Sequence, residues 1–215
     1  MPSIFVVRVW LPDRPGALGA VASRIGAVRG DLVGIDILET GAGRAIDELV
    51  VSLPSSDLVP LLVKEIEQVD GVDVEDVRPA GGELPDARLA ALETAAALME
   101  QPDREALFVA LVGHARFDFE ADWAAVLGAG IAPTIVAAAG KAPTPVWLSA
   151  FVAGSRDASA GTHEEHGPDD VAWAPLSSTG AVLAVGREGR VFRARERRQL
   201  VALARIAGWR LAAHG

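Results

Sequence analysis

Residues 79–85, with the sequence Pro-Ala-Gly-Gly-Glu-Leu-Pro, interrupt the apolar patterns of the chain and divide its 215 residues into two parts. Glycine and proline both disfavour continuous helix or strand, so such a run is typical of a linker. Parts of about 80 and 130 residues each have the length of a small domain. We therefore predict a first domain over residues 1–79, a linker over 80–85 and a second domain over 86–215.

The first part alternates patterns of strand and helix. The strand patterns cover residues 4–10, 32–40, 46–53 and 71–77. One helical pattern follows Pro15 and ends at Gly30, and a second begins near Asp57 because Pro60 is tolerated only in a first turn. Asp13 is close enough to cap the first helix. The resulting order is β-α-β-β-α-β, the ferredoxin-like arrangement.

The second part combines helical and strand patterns with less regular spacing. Apolar spacing predicts helices near 89–99 and 107–112 and a last helix over 194–207. Strand patterns cover 119–127, 134–139, 171–176 and 181–186. The polar stretch from Ser155 to Asp170 is predicted as a loop, and the proline-containing segment around Trp147 is assigned to no element. Both parts therefore belong to the α+β class, the second with an antiparallel sheet and flanking helices.

Composition excludes several classes of function. The chain has 20 basic and 29 acidic residues, a net charge of −9 that argues against nucleic acid as the main partner. It has no cysteine, which excludes disulfides, thiolate catalysis and cysteine-type zinc sites. Its apolar runs are shorter than the roughly 18 residues of a membrane span, and its first residues lack the features of a signal peptide. We therefore expect a cytoplasmic protein that does not enter a membrane.

The loop after the first strand carries a family resemblance. The segment Asp13-Arg14-Pro15-Gly16-Ala17-Leu18 follows a hydrophobic strand and opens a helix, and it resembles the first loop of the ACT domain family. The segment Gly30-Asp31-Leu32-Val33-Gly34-Ile35 resembles the opening of that family's second strand. ACT domains are regulatory modules that pair side by side and bind small ligands, mostly amino acids, between two domains. The resemblance implies the same arrangement for residues 3–79.

The resemblance also implies a ligand site shared by two chains. Loop 13–18 of one chain and residues 31–33 of the other would hold the ligand. Gly16 lets the backbone approach closely, and the amide groups at the start of the helix favour a carboxylate. The residues of the predicted site are Asp13, Arg14, Pro15, Gly16, Ala17, Leu18, Asp31, Leu32 and Val33.

Two of these residues depart from the family pattern. Asp13 and Asp31 stand where many amino-acid-binding members have asparagine. An ionised aspartate only accepts hydrogen bonds, so it can hold the ammonium group of a ligand but not its carboxylate. Arg14 can offset this change as a clamp for the carboxylate. The alternative is that Asp13 only caps the helix and Asp31 only ends a turn.

The second part resembles the GAF family, most clearly in its last third. Residues 171–176 and 180–187 resemble the final strand pair of that family, and residues 192–197 resemble the start of its last helix. GAF domains bind small molecules or act as dimerising modules. The resemblance therefore implies a sensing or dimerising domain whose ligand is unidentified, with Trp147 or Trp173 as candidates to line its pocket.

Motifs that suggest catalysis are incomplete. The sequence His163-Glu164-Glu165-His166 is similar to a zinc-protease motif, but that motif needs histidines at positions i and i+4 of a helix. A solvated acidic loop is the simpler interpretation. His114 falls in an apolar helix, where a hydrogen-bonded core or boundary histidine is expected. No nucleophile, base and oxyanion donor assemble in the sequence, so we predict no catalytic residue, no metal and no cofactor.

These observations favour a non-catalytic, dimeric regulatory protein that senses a small metabolite, most simply an amino acid between two ACT-like domains. A second hypothesis is a ligand-free scaffold that dimerises and docks a protein partner through its C-terminal domain. Eight of the arginines follow position 186, and they provide a surface for an acidic partner through Arg195, Arg197 and Arg198, or only a solvated helix face. A third hypothesis is an enzyme with an unrecognised site near Glu164 and His166.

Overall fold

The computed structural model describes residues 3–80, 86–130, 132–159, 169–177 and 179–213. The chain forms two compact units, Met1–Asp86 and Ala87–Gly215. Each unit contains a four-stranded antiparallel sheet and helices, which confirms the predicted α+β class. The units divide after Asp86, one residue beyond the predicted linker 80–85, of which only Ala80 lies among the described residues.

The first unit has the predicted β-α-β-β-α-β order. Its elements are β1 (Ser3–Pro12), α1 (Ala17–Ala27), β2 (Asp31–Gly41), β3 (Arg44–Leu53), α2 (Val59–Ile66) and β4 (Asp73–Pro79). The strands lie in the order β2-β3-β1-β4, and each neighbouring pair is antiparallel. A single 3₁₀ turn, Ser56–Leu58, leads into α2, and the Ser55 hydroxyl accepts a hydrogen bond from the Asp57 amide. The helical segment therefore begins where the sequence predicts.

Helices α1 and α2 pack on one face of this sheet. Side chains alternate between the two faces of a strand, so Val7 and Val9 on β1 and Leu49 and Val51 on β3 share the face that meets the helices. The helices contribute Val21, Ile25, Leu62 and Ile66 to the same core. Burying one such side chain contributes about 1.5–3 kcal/mol, and this layer therefore fixes which strand residues face inward.

The opposite face of the sheet carries an ionic network. Arg8 is buried, and its guanidinium lies 2.8 Å from Glu48 Oε1, which Arg78 also contacts at 2.8 Å. Burial raises the pKa of Glu48, but Arg78 and Arg8 outweigh that effect and hold the pKa below its ordinary value. Glu48 thus remains ionised and compensates two guanidinium groups that the fold has withdrawn from water.

Helix α1 ends three residues before the predicted end at Gly30. Val28 is the C-cap, and Arg29 takes the left-handed conformation with φ 60°. The amides of Arg29 and Gly30 donate to the carbonyls of Gly26 and Ile25, the two hydrogen bonds of a Schellman motif. Gly30 follows because a Cβ at its position would lie 2.9 Å from the Ile25 side chain. Here close packing, and not a left-handed conformation, requires glycine.

The second unit places helices on both faces of its sheet. Its elements are α3 (Ala87–Met99), α4 (Arg104–Asp118), β5 (Trp123–Leu127), β6 (Ile135–Gly140), α5 (Pro145–Ser159), β7 (Val171–Pro175), β8 (Val182–Gly186) and α6 (Ala194–Ala213). The strands lie in the order β6-β5-β8-β7. One core joins α3, α4 and α6 to the sheet, and a second core on the other face contains Leu148 and Val152 of α5.

Three sequence expectations for this unit are wrong in detail. The predicted strand 119–127 begins only at Trp123, because α4 continues to Asp118 and Phe119 is its C-cap. The segment around Trp147 is helical, since the Thr144 hydroxyl accepts a hydrogen bond from the Trp147 amide at the start of α5. That helix continues to Ser159, so the first residues of the predicted loop from Ser155 are helical.

The apolar stripe that identifies α3 does not face the core. Leu89, Leu92 and Met99 are exposed, whereas Leu98 and Thr94 are buried. The Thr94 hydroxyl donates to Asp118 and lies 3.1 Å from His114 Nδ1, so His114 is hydrogen-bonded between α3 and α4. None of the described helices combines the length and apolar character needed to cross a bilayer.

Candidate ligand-binding site

The loop between β1 and α1 presents exposed backbone. Residues 13–16 are exposed, and α1 begins at Ala17 with Gly16 as its N-cap at φ +88°. No side chain caps this helix, so the expectation that Asp13 caps it is wrong, and Pro15 lies before the cap and outside the first turn. The Asp13 amide instead donates to the Gly43 carbonyl at 2.9 Å, which joins the loop to the turn between β2 and β3.

The start of α1 has unpaired donors. Within the part of the chain that the structure describes, the amides of Gly16, Leu18 and Gly19 make no hydrogen bond, whereas the Ala17 amide donates to the Arg14 carbonyl. A glycine cap leaves these groups open to solvent because it offers no side-chain oxygen. The helix dipole and the amides together favour an anion here.

The second half of the predicted site lies at the other end of the sheet. Asp31 is the first residue of β2, is exposed and pairs with Ser52 of β3. The loop at Asp13 lies beside Arg44, which pairs with Pro12 at the start of β3. Eight residues separate these positions on β3, about 26 Å at about 3.3 Å per residue. One chain therefore does not bring the two halves together.

Strand β2 is an edge strand with exposed apolar side chains. Val33, Ile35 and Ile37 are 39%, 45% and 52% exposed. Ile35 and Ile37 pair with Leu49 and Asp47, so they point to the helix side of the sheet, yet the helices do not cover them. Val33 is the extra residue of a bulge between Leu32 and Gly34. The edge carries apolar surface beside residues 31–33.

A buried carboxylate near the loop is absent from the sequence prediction. Asp47 lies on the helix side of β3, is 3% exposed, and its Oδ1 is buried with no hydrogen-bond partner. Burial raises the pKa of Asp47, and the neighbouring Asp13 carboxylate raises it further. The signal in the sequence is the pair Asp47-Glu48 inside an apolar strand, because adjacent residues face opposite sides and one must face the core.

The remaining candidates do not form a second site among the described residues. His163, Glu164, Glu165 and His166 lie outside them. No group of three or more potential metal ligands occurs in the described ranges. Trp147 stacks on Phe151 with ring centroids 5.4 Å apart.

Trp173 and Arg197, candidates for a pocket and a docking surface, make contacts within the fold. The guanidinium of Arg156 lies 5.1 Å from the centre of the Trp173 ring. Arg197 donates to the backbone carbonyls of Phe192, Val171 and Asp169. Substituting Arg197 would therefore test the fold as well as any docking surface.

Comparisons with known proteins return structures only. No protein-family model and no curated protein matches the sequence. The ACT domain of a GTP pyrophosphokinase from Chlorobium tepidum is 16% identical, with 37% of this chain and 99% of that chain covered and a TM-score of 0.30. The GAF domain of an Acinetobacter phosphoenolpyruvate-protein phosphotransferase is 13% identical, with 60% and 95% covered and a TM-score of 0.45. A Galdieria sulphuraria protein is 15% identical, with 86% and 98% covered and a TM-score of 0.34. The similar structures thus include both families that the sequence resembles.

Proposed function

We propose that this chain is a non-catalytic cytoplasmic regulatory protein that senses an amino acid between the first units of two copies. The observation that carries the proposal is the uncovered apolar edge of β2, formed by Val33, Ile35 and Ile37. An exposed edge strand is a place where a second strand can pair, and here it also offers apolar surface. A second copy supplies a matching strand because a two-fold interface uses the same surface twice.

Antiparallel pairing through β2 explains the separated halves of the site. It sets the start of one β2 opposite the end of the other, so residues 31–33 of a second copy approach the Gly41 end of this strand. The loop at Asp13 lies beside that end because its amide bonds to Gly43. Two equivalent sites result, each with loop 13–18 from one copy and residues 31–33 from the other.

The two halves offer the groups that a zwitterion needs. The open amides of Gly16, Leu18 and Gly19 and the guanidinium of Arg14 suit a carboxylate. Asp13, and Asp31 of the second copy, suit an ammonium group. A ligand that bridges two copies favours the arrangement in which both halves meet, by the difference in its affinity for the two arrangements. The resulting change in the populations of the two arrangements is the regulatory signal.

The test is thermal unfolding of the purified protein with each of the twenty amino acids in turn. An amino acid at about 100 times its dissociation constant adds about 2.7 kcal/mol. That corresponds to a rise in Tm of about 5–10 °C for a chain of this size. The result that contradicts the proposal is an unchanged Tm with every amino acid.

The loop assignment is tested with Gly16→Leu, which we expect to abolish the rise in Tm by filling the open space over the amides. The variant also strains the backbone at φ +88°, so Gly189→Leu is the matched control. Gly189 has φ +76° and open space around it, and it lies in the second unit. An equal loss in both variants would contradict the loop assignment.

A second candidate function is a ligand-free scaffold that docks a protein through the second unit. Exposed apolar side chains favour it, since Leu92, Phe117 and Trp209 are 69%, 80% and 63% exposed. Contiguous apolar patches are typical of interaction surfaces, so this candidate requires that these side chains adjoin one another. This candidate predicts an association that Trp209→Ser or Phe117→Ser weakens and that no amino acid affects.

A further inference from the structure

Asp47 lies at the border between covered and uncovered parts of the first sheet. It pairs with Val9 on one side and with Ile37 on the other, and these three residues form a row across the helix-side face. Val9 is fully buried under the helices, whereas Ile37 is 52% exposed. The Asp47 carboxylate therefore lies where the helical layer ends and the uncovered strip of β2 begins.

The carboxylate has no compensating partner within the described ranges. No hydrogen bond or ion pair joins the Asp47 carboxylate to another described residue, although the residue is only 3% exposed and its Oδ1 is buried. The like charge of Asp13 acts on it and raises its pKa further than burial alone does. Burying a carboxylate without a hydrogen bond or a counter-charge is strongly unfavourable. A cation, which the described residues do not supply, would therefore stabilise this carboxylate.

We propose that Asp47, assisted by Asp13, binds the ammonium group of the amino acid whose carboxylate the start of α1 holds. This inference rests on the proposed function and adds the residue that recognises the amine. Two carboxylates suit an ammonium group, which donates three hydrogen bonds, better than a divalent cation, which takes six or more oxygen ligands. The open amides of Gly16, Leu18 and Gly19 lie at the start of α1, directly after the loop that carries Asp13, and they favour the opposite charge.

The ligand class follows from this placement. A molecule that satisfies the amides and Asp47 together carries a carboxylate and a primary ammonium group close to each other. An α-amino acid meets this requirement, and the 2-hydroxy acid with the same side chain does not, because a hydroxyl carries no charge to compensate Asp47. The amine is therefore the group that this site selects.

The experiment compares binding to wild type and to three variants by isothermal titration calorimetry. The probes are each of the twenty amino acids alone and the 2-hydroxy acid that matches the tightest binder. The variants are Asp47→Asn, Asp13→Asn and the control Asp70→Asn, which removes an exposed carboxylate of the same unit. Asp13 is exposed, so its variant tests the inference even where a core substitution perturbs folding.

We expect Asp47→Asn to weaken binding by about ten- to a hundredfold, as for loss of a hydrogen bond to a charged group, and Asp13→Asn to weaken it less. Asp70→Asn binds as wild type does, and wild type rejects the 2-hydroxy acid. Binding of an amino acid that Asp47→Asn and Asp13→Asn leave unchanged overturns this inference and retains the proposed function. Absence of binding by wild type to every amino acid overturns both.

Discussion

At the scale of single residues, Asp47 combines a cost in stability with a proposed role in binding. Its carboxylate is buried in an apolar layer, and burial together with Asp13 raises its pKa. Glu48, the next residue, is also largely withdrawn from water, yet Arg78 and Arg8 hold its pKa below the ordinary value. These neighbouring acids lie on opposite faces of one strand, and their pKa values shift in opposite directions. The difference arises because two arginines pair with Glu48.

The raised pKa of Asp47 sets the sign of a pH effect. The folded state binds this proton more tightly than the unfolded state does, so the stabilising contribution is present at low pH and is lost as pH rises through the raised pKa. We expect Asp47→Asn to increase the free energy of unfolding by about 1–2 kcal/mol at pH 7, as removal of an uncompensated buried charge does. The gain should shrink as pH falls towards the ordinary pKa of aspartate.

Urea unfolding of wild type and Asp47→Asn at pH 7 and pH 4 measures this difference. Asp70→Asn serves as the control, because its carboxylate is exposed and its substitution should change stability little at either pH. A loss of stability in Asp47→Asn at pH 7 would show that the carboxylate makes a favourable interaction in the folded protein. That result would contradict the description of Asp47 as uncompensated.

Single residues also mark the limit of the sequence prediction. The motif from Asp13 to Leu18 identifies the loop, but the left-handed conformation of Gly16 decides that no side chain caps α1. A side-chain cap from Asp13 requires the helix to begin earlier than it does. The proposed role of Asp47 depends on the lack of a hydrogen-bond partner for its Oδ1 among the described residues, and no spacing in the sequence reveals that lack.

At the scale of elements, helices and strands with a clear pattern of apolar residues are predicted well. Segments marked mainly by proline, glycine or polar residues are predicted less well. The strands of the first unit follow from runs of β-branched and other apolar residues, and α1 and α2 follow from their apolar stripes. Helix α5 is missed because Pro145 and the polar residues after Val152 suggest a loop. Thr144 before Pro145 is in fact a helix-start signal, since proline is favoured in the first turn.

An apolar stripe does not by itself show which way a helix faces. Leu89, Leu92 and Met99 predict α3 correctly, but these residues are exposed, and the helix meets its core through Leu98. Alanine-rich helices such as α3 are apolar on several sides, so the period identifies the element and leaves its orientation open.

The uncovered edge of β2 leads to a prediction about dimer formation. We expect Ile37→Lys to convert a dimer to a monomer, because a lysine on this edge replaces apolar contact with a charge. Val136→Lys is the matched control, since Val136 is 48% exposed on β6, an edge strand of the second sheet. Sedimentation velocity measures both variants. A dimer that persists in Ile37→Lys and dissociates in Val136→Lys would move the interface to the second unit.

At the scale of the whole molecule, the proposed site belongs to two chains. The sequence predicts two units and the α+β class, because the linker and the element order are local features. It also predicts both halves of the proposed site, but their separation of about 26 Å, about eight residues of strand, becomes visible only in the paired strands. The account therefore depends on a second copy to complete each site.

Mixing two inactive variants tests this dependence most directly. Gly16→Leu damages the loop half of the site, and Asp31→Arg reverses the charge of the other half. Each variant alone has a damaged half in both sites of its dimer, whereas a mixed dimer keeps one site with both halves intact. Calorimetric titration of the exchanged mixture with the amino acid that binds wild type should recover about one site per mixed dimer. Absence of binding in the mixture, with mixed dimers present, would contradict a site shared between chains.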